Sequence, residues 1–359
     1  MGGRKVRFGI LGCAGIAEKL VRAMLMLPEQ VQITAVGSRS LGKAQAFAAR
    51  NKLPADVKLY ESYDAVLDDG EVDAVYLPLP TGLHLEWVTK AAEKGKHVLL
   101  EKPVAPTVEE LDEFLAVVER NQLQFMDGTM FMHHPRTAQM QQVLRNSQVV
   151  GELREVIAVF ITDLGVPTGW TSDIRGQPHL DGLGCLGDIG WYCIRLILWA
   201  YDFEMPHTVT AHSGSKLSDT GVLTVCGATF EWKDGRIGTM RTSFLGDMVM
   251  KGICAGSKGT LEIDDFVIPK KEDLASYRVK EATVWEDRSI GWGSREEVHQ
   301  VKTSLPQEAL MVQEFSRLVS NILDGGVPEP VWVTVARKTQ ILLNAVKSSI
   351  ESNCNTITL

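Results

Sequence analysis

The chain lacks the features that would take it into or across a membrane. No apolar run is expected to reach the roughly 20 residues of a spanning helix, and Met1-Gly2-Gly3-Arg4-Lys5-Val6 leads into an apolar segment without a signal-peptide core. Gly2 is followed by Val6 where a myristoylation signal wants Ser or Thr. Cysteine is sparse: the six, at 13, 185, 193, 226, 254 and 354, show no CxxC spacing. That argues against a zinc ribbon or dithiol motif and suits reduced thiols in a cytoplasmic protein. Eight histidines include none at a recognisable metal-ligand spacing, and the adjacent His133 and His134 point in different directions, so no metal is expected. Positive charge is also short, 37 Lys and Arg against 45 Asp and Glu, and the net charge of -8 speaks against nucleic acid as a partner. Internal repeats and low-complexity tracts are absent. What is present is a 359-residue chain, 45% hydrophobic and 23% charged, the composition of a soluble globular protein with two domains as the prior.

The first third alternates short apolar runs with amphipathic ones. Strands are expected at Val6 to Leu11, Val31 to Val36, Val57 to Tyr60, Val72 to Leu77, His97 to Leu100 and Leu123 to Met126, with helices between them. Such alternation implies a parallel, doubly wound sheet, whose ligands bind at the carboxyl ends of its strands. The first turn, Gly12-Cys13-Ala14-Gly15-Ile16-Ala17, joins a strand to a helix, the context a dinucleotide fingerprint requires. Its match is partial: with Gly12 first, Ala14 and Ala17 fill the second and third glycine positions. The second strand ends in Gly37-Ser38-Arg39-Ser40 with no acid to hold a ribose 2′-hydroxyl. Ser38, Arg39, Ser40 and Lys43 offer hydroxyls and cations that suit a 2′-phosphate and hence NADP(H). The bland alternative is Ser40 as a helix N-cap beside a solvated arginine. Leu79 and Pro80 in the turn after the fourth strand, His84 in the next helix, and Glu101 and Lys102 after the fifth complete the candidate cofactor edge. Lys102, stiffened by Pro103, is a candidate charge clamp, acid or base; alone it would read as a solvated lysine.

Beyond residue 127 the pattern changes to strands in succession, with turns at Lys233-Asp234-Gly235 and Gly256-Ser257-Lys258-Gly259 and closing helices at Gln307 to Leu323 and Val333 to Ser352. This implies a second, α+β domain. The expected division is 1–127 for nucleotide binding and 128–359 for substrate and oligomer contacts, with residues 264 to 305 as loops and edge strands. Glycines 176, 182, 184, 187 and 190 make a permissive loop before a helix from Trp191 to Ala200. Asp188 and Tyr192, four apart, would share a face on its first turns.

Three stretches resemble a known family: the turn Gly12 to Ala17, the run Gly95-Lys96-His97-Val98-Leu99-Leu100-Glu101-Lys102-Pro103, and Gly182-Leu183-Gly184-Cys185-Leu186-Gly187-Asp188-Ile189-Gly190-Trp191-Tyr192. In this order they are similar to the glucose-fructose oxidoreductase / inositol dehydrogenase / MocA family. The nearest branch is that of the dimeric dihydrodiol and NADP-dependent D-xylose dehydrogenases, with uncharacterised plant oxidoreductases. The resemblance implies an open, mostly antiparallel sheet in the second domain that also serves in a homodimer or higher oligomer. In the family the positions of Asp188 and Tyr192 hold an aspartate and a histidine; here the histidine is replaced by Tyr192. A phenol of pKa ~10 needs a neighbouring cation, for which Lys102 is the candidate.

The expected chemistry is hydride transfer between NADP(H) and a carbonyl or hydroxyl of a small cyclic substrate. Lys102, Tyr192 and Asp188 are the catalytic candidates, and Asp173, Arg175, Met130, His133, Trp170 and Trp191 the substrate candidates. The apolar lining suits a dihydrodiol or alicyclic carbonyl, a pyranose remains compatible, and the same Met and aromatic residues could instead be core. The alternatives are a non-catalytic NADP-binding regulator and a redox-assisted glycosidase.

Overall fold

A computed structural model describes residues 4–163, 174–285 and 291–359. Two compact units emerge, one taking in the chain up to His133 together with Leu305–Arg337, the other His134–Ser304 with Lys338–Leu359.

The first unit opens with β1 (Val6–Leu11), α1 (Gly15–Leu25), β2 (Val31–Gly37), α2 (Leu41–Arg50), β3 (Lys58–Tyr60), α3 (Tyr63–Asp68) and β4 (Ala74–Leu77). A 3-10 turn, Thr81–Leu83, leads into α4 (His84–Glu93), β5 (His97–Leu100), α5 (Val108–Arg120) and β6 (Phe125–Asp127). The strands form a parallel sheet in the order β3-β2-β1-β4-β5-β6. β4 and β5 are buried along their full length, as strands covered on both faces must be. Local chemistry sets the helix starts: Thr107 accepts from the Glu110 amide, and Ser62 from the Ala65 amide. Gly95, at φ 69°, ends α4 as a glycine stop should. Much later in the chain, α9 (Gln307–Leu323) packs on α1, and Phe315 meets Phe8 of β1 at 5.8 Å.

The second unit follows with α6 (Pro135–Arg145), β7 (Leu153–Ile161), the four-residue α7 (Pro178–Asp181) and α8 (Trp191–Ala200). Strands β8 (Thr208–Ala211), β9 (Lys216–Leu217), β10 (Leu223–Glu231), β11 (Ile237–Ser243), β12 (Val249–Gly256), β13 (Gly259–Ile263), β14 (Leu274–Glu281) and β17 (Glu296–Lys302) come next. Between the last two, β15 (Val284–Trp285) and β16 (Trp292–Gly293) make a separate hairpin. α10 (Val331–Glu351) and β18 (Ile357–Thr358) close the chain. The large sheet runs β17-β14-β13-β12-β7-β11-β10-β8-β18, with β9 beside β10. Only β7 and β11 pair in parallel among these. Residues 264 to 305, expected as loops and edge strands, contribute β14 and β17 in a seven-pair antiparallel register. Among the described residues, one stretch, Pro178–Ala200, is long and apolar enough to cross a membrane, and 89% of its most apolar window is buried inside the protein, as in a core helix. Beneath the sheet, the fully buried Arg136 of α6 is paired with the buried Asp265, so the charge taken from water has its partner.

Candidate active site

The carboxyl edge of the parallel sheet collects the nucleotide-side candidates. β1 ends at Gly12, whose φ of 120° is open to glycine and strained for other residues; a Cβ there would stand 3.0 Å from Leu79 Cδ2. Ala14, the departure from the glycine pattern, has extended backbone (φ -74°, ψ 156°) that alanine adopts freely. α1 then begins without a side-chain cap, and a Cβ on Gly15 would meet nothing within 4 Å. Uncapped amides over open space are what a phosphate needs.

At the end of β2, Ser38 is buried while Arg39, Ser40 and Lys43 are exposed. Ser40 stands at the N-cap position of α2 but its side chain makes no capping bond, contrary to the bland expectation. Cys13 lies by Ser38, Arg50 and Lys43, which favour its thiolate, but burial outweighs them and pushes its pKa up. Arg39 lies against Tyr63, whose phenol is also pushed up by burial. In a chain of net charge -8, Arg39 and Lys43 thus stand together at the start of α2, and Arg50 at the end of that helix also acts on Cys13.

The Lys102 turn is held from beneath. Tyr76 donates to Glu101 Oε1 at 2.7 Å, and the Lys102 amide donates to Glu101 Oε2 at 3.3 Å. Gly128 lies so close that a Cβ would stand 3.2 Å from Glu101 Oε2. The Lys102–Pro103 peptide is cis, and Pro103, Val104 and Ala105 are buried while Lys102 is half-buried.

His84 corrects one expectation. It was a cofactor candidate, but it is 0% exposed, with Nε2 2.8 Å from Leu79 O and Nδ1 3.0 Å from Val104 O. The ring bolts the turn after β4 to the turn after β5, and burial holds its pKa below the usual imidazole range.

In the second unit, Leu186–Gly190 forms a single π turn running into α8, in place of a regular helix start. Such turns widen the helix by one residue and re-aim the side chains around them. Gly184 makes the approach possible: at φ 53°, any Cβ would collide with Leu223 O. Asp188 accepts from Arg175 Nε at 3.0 Å. Tyr192 is 5% exposed with its ring 6.2 Å from Phe160 of β7. Cys185, leading into the π turn, has its sulfur 3.8 Å from that of Cys226 on β10, so turn and sheet touch there.

The other five substrate candidates fare differently. Trp191 is fully buried under the Arg195 guanidinium at 5.3 Å and is core. Met130 is 7% exposed, which leaves little of it to meet a ligand. His133 stacks on Trp332 at 4.6 Å, with Nδ1 2.8 Å from Glu314. It lines a cavity of about 830 Å³ with Arg4, Glu29 and Gln30, residues just ahead of β1 and β2 and so at the end opposite the nucleotide turn. An adjacency in sequence to the last strand had suggested the wrong edge. Asp173 and Trp170 lie outside the described residues. Sequence reasoning missed Tyr76, Tyr63 and Gly128, whose roles come from contacts with segments remote in the chain.

Residues 6–129 match the GFO/IDH/MocA family model described as an oxidoreductase family with an NAD-binding Rossmann fold, and residues 137–262 match the C-terminal domain model of the same family. The chain belongs to the GFO/IDH/MocA oxidoreductase family. It is 32% identical over 288 residues to a dTDP-3,4-didehydro-2,6-dideoxy-alpha-D-glucose 3-reductase of Saccharopolyspora spinosa, covering 80% of this chain and 83% of that one. It is 30% identical over 260 residues to a trans-1,2-dihydrobenzene-1,2-diol dehydrogenase of Danio rerio, covering 72% and 74%. The crystal structure of KijD10, a 3-ketoreductase from Actinomadura kijaniata in complex with NADP and TDP-benzene, is similar at a TM-score of 0.78 and 27% identity over 96% of this chain and 98% of that one. The first sheet is thus this family's Rossmann half, and the mostly antiparallel sheet its C-terminal half. The dihydrodiol-dehydrogenase branch expected from the motifs stands among the relatives, joined by reductases of nucleotide-linked keto-sugars.

Proposed function

We propose that this chain is an NADP(H)-dependent dehydrogenase or reductase acting on a CH–OH or C=O group of a small cyclic, sugar-like substrate. The observation that carries the reading is the end of β2: Ser38, Arg39, Ser40 and Lys43 stand there without an acid, beside the uncapped start of α1. An acid there would repel a 2′-phosphate and bond a free 2′-hydroxyl; a guanidinium does the reverse. Gly12 leaves the cradle a Cβ would fill, so the residues present fit a dinucleotide.

When bound, NADP(H) supplies or accepts the hydride. The chain's own residues handle charge and proton. Tyr192 holds the proton at its hydroxyl, giving it to the substrate oxygen in reduction and taking it back in oxidation. Lys102, fixed by Glu101 and its buried proline turn, keeps a cation by the same oxygen and favours its charged form. Asp188 holds Arg175, which contacts a substrate hydroxyl. The protein is cytoplasmic and self-associates through the large sheet.

The test is a panel of aldopyranoses, dihydrodiols, alicyclic ketones and nucleotide-linked keto-sugars, followed at the NADPH absorbance band with NADH in parallel. Turnover with NADPH and a clear preference over NADH are expected. Equal affinity for the two cofactors would overturn the reading of the β2 end. An absence of turnover with all four classes would sink the enzyme assignment.

A further inference from the structure

Tyr63 has no part in the family motifs, yet three pieces of the nucleotide edge converge on it. It opens α3 directly after its cap, Ser62. Its ring meets Trp87 edge-on, centroids 4.9 Å apart at 89°. A Cβ on Gly37, the last residue of β2, would stand 3.4 Å from Tyr63 Cδ1, and one on Gly12 would stand 3.8 Å from the phenol oxygen. The ring therefore lies against the end of β2, and the hydroxyl stands beside the first residue of the dinucleotide turn. Arg39, two residues past Gly37, stands near enough to that hydroxyl for its charge to oppose the rise that burial gives the phenol's pKa.

An exposed arginine on its own spreads over many rotamers, and ordering it on a ligand costs entropy. Its guanidinium carries five N–H donors in one plane. Committing one of them to a fixed acceptor orients the plane and leaves the others for an anion. Tyr63 is a suitable acceptor because it is wedged between Trp87 and Gly37. It is also neutral, so it leaves the arginine's charge for the phosphate, which a carboxylate would cancel.

We propose that Tyr63 is a positioning residue for cofactor choice: its hydroxyl holds the Arg39 guanidinium where the 2′-phosphate of NADP(H) arrives. The proposal rests on the NADP(H) reading above. A ligand without the 2′-phosphate gains nothing from the arrangement, so Tyr63 acts on one dinucleotide and not the other.

Tyr63→Phe keeps the ring and its packing and removes the acceptor. Dissociation constants for NADPH and NADH are measured by fluorescence titration on the full chain, together with the melting temperature. NADPH affinity is expected to fall ~5–10-fold, as for loss of an ordinary hydrogen bond. NADH affinity should stay within about two-fold and the melting temperature should be unchanged. In an Arg39→Ala background, the same substitution should change NADPH affinity by less than about two-fold, since the two residues act as one device. Equal weakening of both cofactors, no weakening of NADPH, or a full additional effect in the Arg39→Ala background would each overturn the proposal. A parent protein that binds both dinucleotides alike would overturn the NADP(H) reading itself, and this proposal with it. A parent that prefers NADPH, paired with a Tyr63→Phe variant that keeps the preference, overturns only the role of Tyr63.

Discussion

The nucleotide edge of the first unit and the π-turn region of the second reach their geometry by different routes. In the first, the candidate residues stand within a few positions of a strand end, and the parallel sheet delivers them to one edge whatever their side chains. The supports are few: Tyr76 under Glu101, His84 between two turns, Gly12 against Leu79. In the second, Asp188 stands within, and Tyr192 just after, an irregular turn whose shape depends on packing against strands of the large sheet. Leu223 admits Gly184, Cys226 touches Cys185, and Phe160 faces Tyr192. A site delivered by topology tolerates local change; a site delivered by packing answers to distant residues.

The largest expected effect would join the two regions in one reaction. Lys102→Ala and Tyr192→Phe should each lower kcat by ~100-fold or more. Steady-state rates near those of the parent in either variant would break the pairing. Next comes a matched pair of glycine substitutions. Gly184→Ala forces a left-handed backbone and a collision with Leu223 O, and should cost about 2–4 kcal/mol in urea unfolding. Gly12→Ala also strains the backbone, at φ 120°, but its tight contact is only the flexible end of Leu79, so its main expected signature is a raised KM for NADPH, with a smaller loss of stability. If Gly12→Ala proved the more destabilising, the contrast between topology and packing would fail.

Acid should act on both regions alike. His97, whose Nδ1 accepts from the Gln124 amide, and His134, which caps α6, are both buried, and burial lowers each pKa from 6.5 to about 4. The unfolded chain takes up these protons first as pH falls, so their stabilisation is complete above pH 6.5 and drains away toward 4. Between pH 6.5 and 5 each ring accounts for a loss of about 1–2 kcal/mol, readable as a falling urea midpoint. His97→Gln should flatten that slope; an unchanged slope would show that the ring does not titrate in the window. The smallest contrast concerns caps within the first unit. Thr107→Ala should cost ~1 kcal/mol, because its side chain accepts from Glu110. Ser40→Ala should leave the melting temperature alone and weaken NADPH binding instead, since Ser40 makes no capping bond.

The first region was legible in the sequence because its signals are local. Strand, turn and helix follow one another at Val6 to Leu25, Thr107 announces α5, and the missing acid after β2 is visible by inspection. The helix from Trp191 to Ala200 was also readable, and its boundaries agree with α8. The π turn before it was hidden, because glycines permit irregular backbone without specifying which kind. β14 shows how charge masks a pattern. Ala275, Tyr277 and Val279 are buried in strict alternation, but Arg278 and Lys280 between them suggest a loop. Those cations reach Glu262 on the neighbouring strand, a pairing that only register reveals. His84 and His133 were misplaced for one reason: sequence gives a residue's neighbours along the chain and not the direction of its ring.

The His84 bolt has a spectroscopic use. A neutral imidazole carries one N–H, yet this ring faces a carbonyl on each side. An N–H sealed from water and bonded to a carbonyl exchanges slowly enough with solvent to give its own downfield proton resonance. His84 is therefore a built-in, label-free reporter between two turns of the nucleotide edge. The number of its resonances counts the protons on the ring, and their shifts on adding dinucleotide would follow those turns residue by residue, without a probe being attached to the protein.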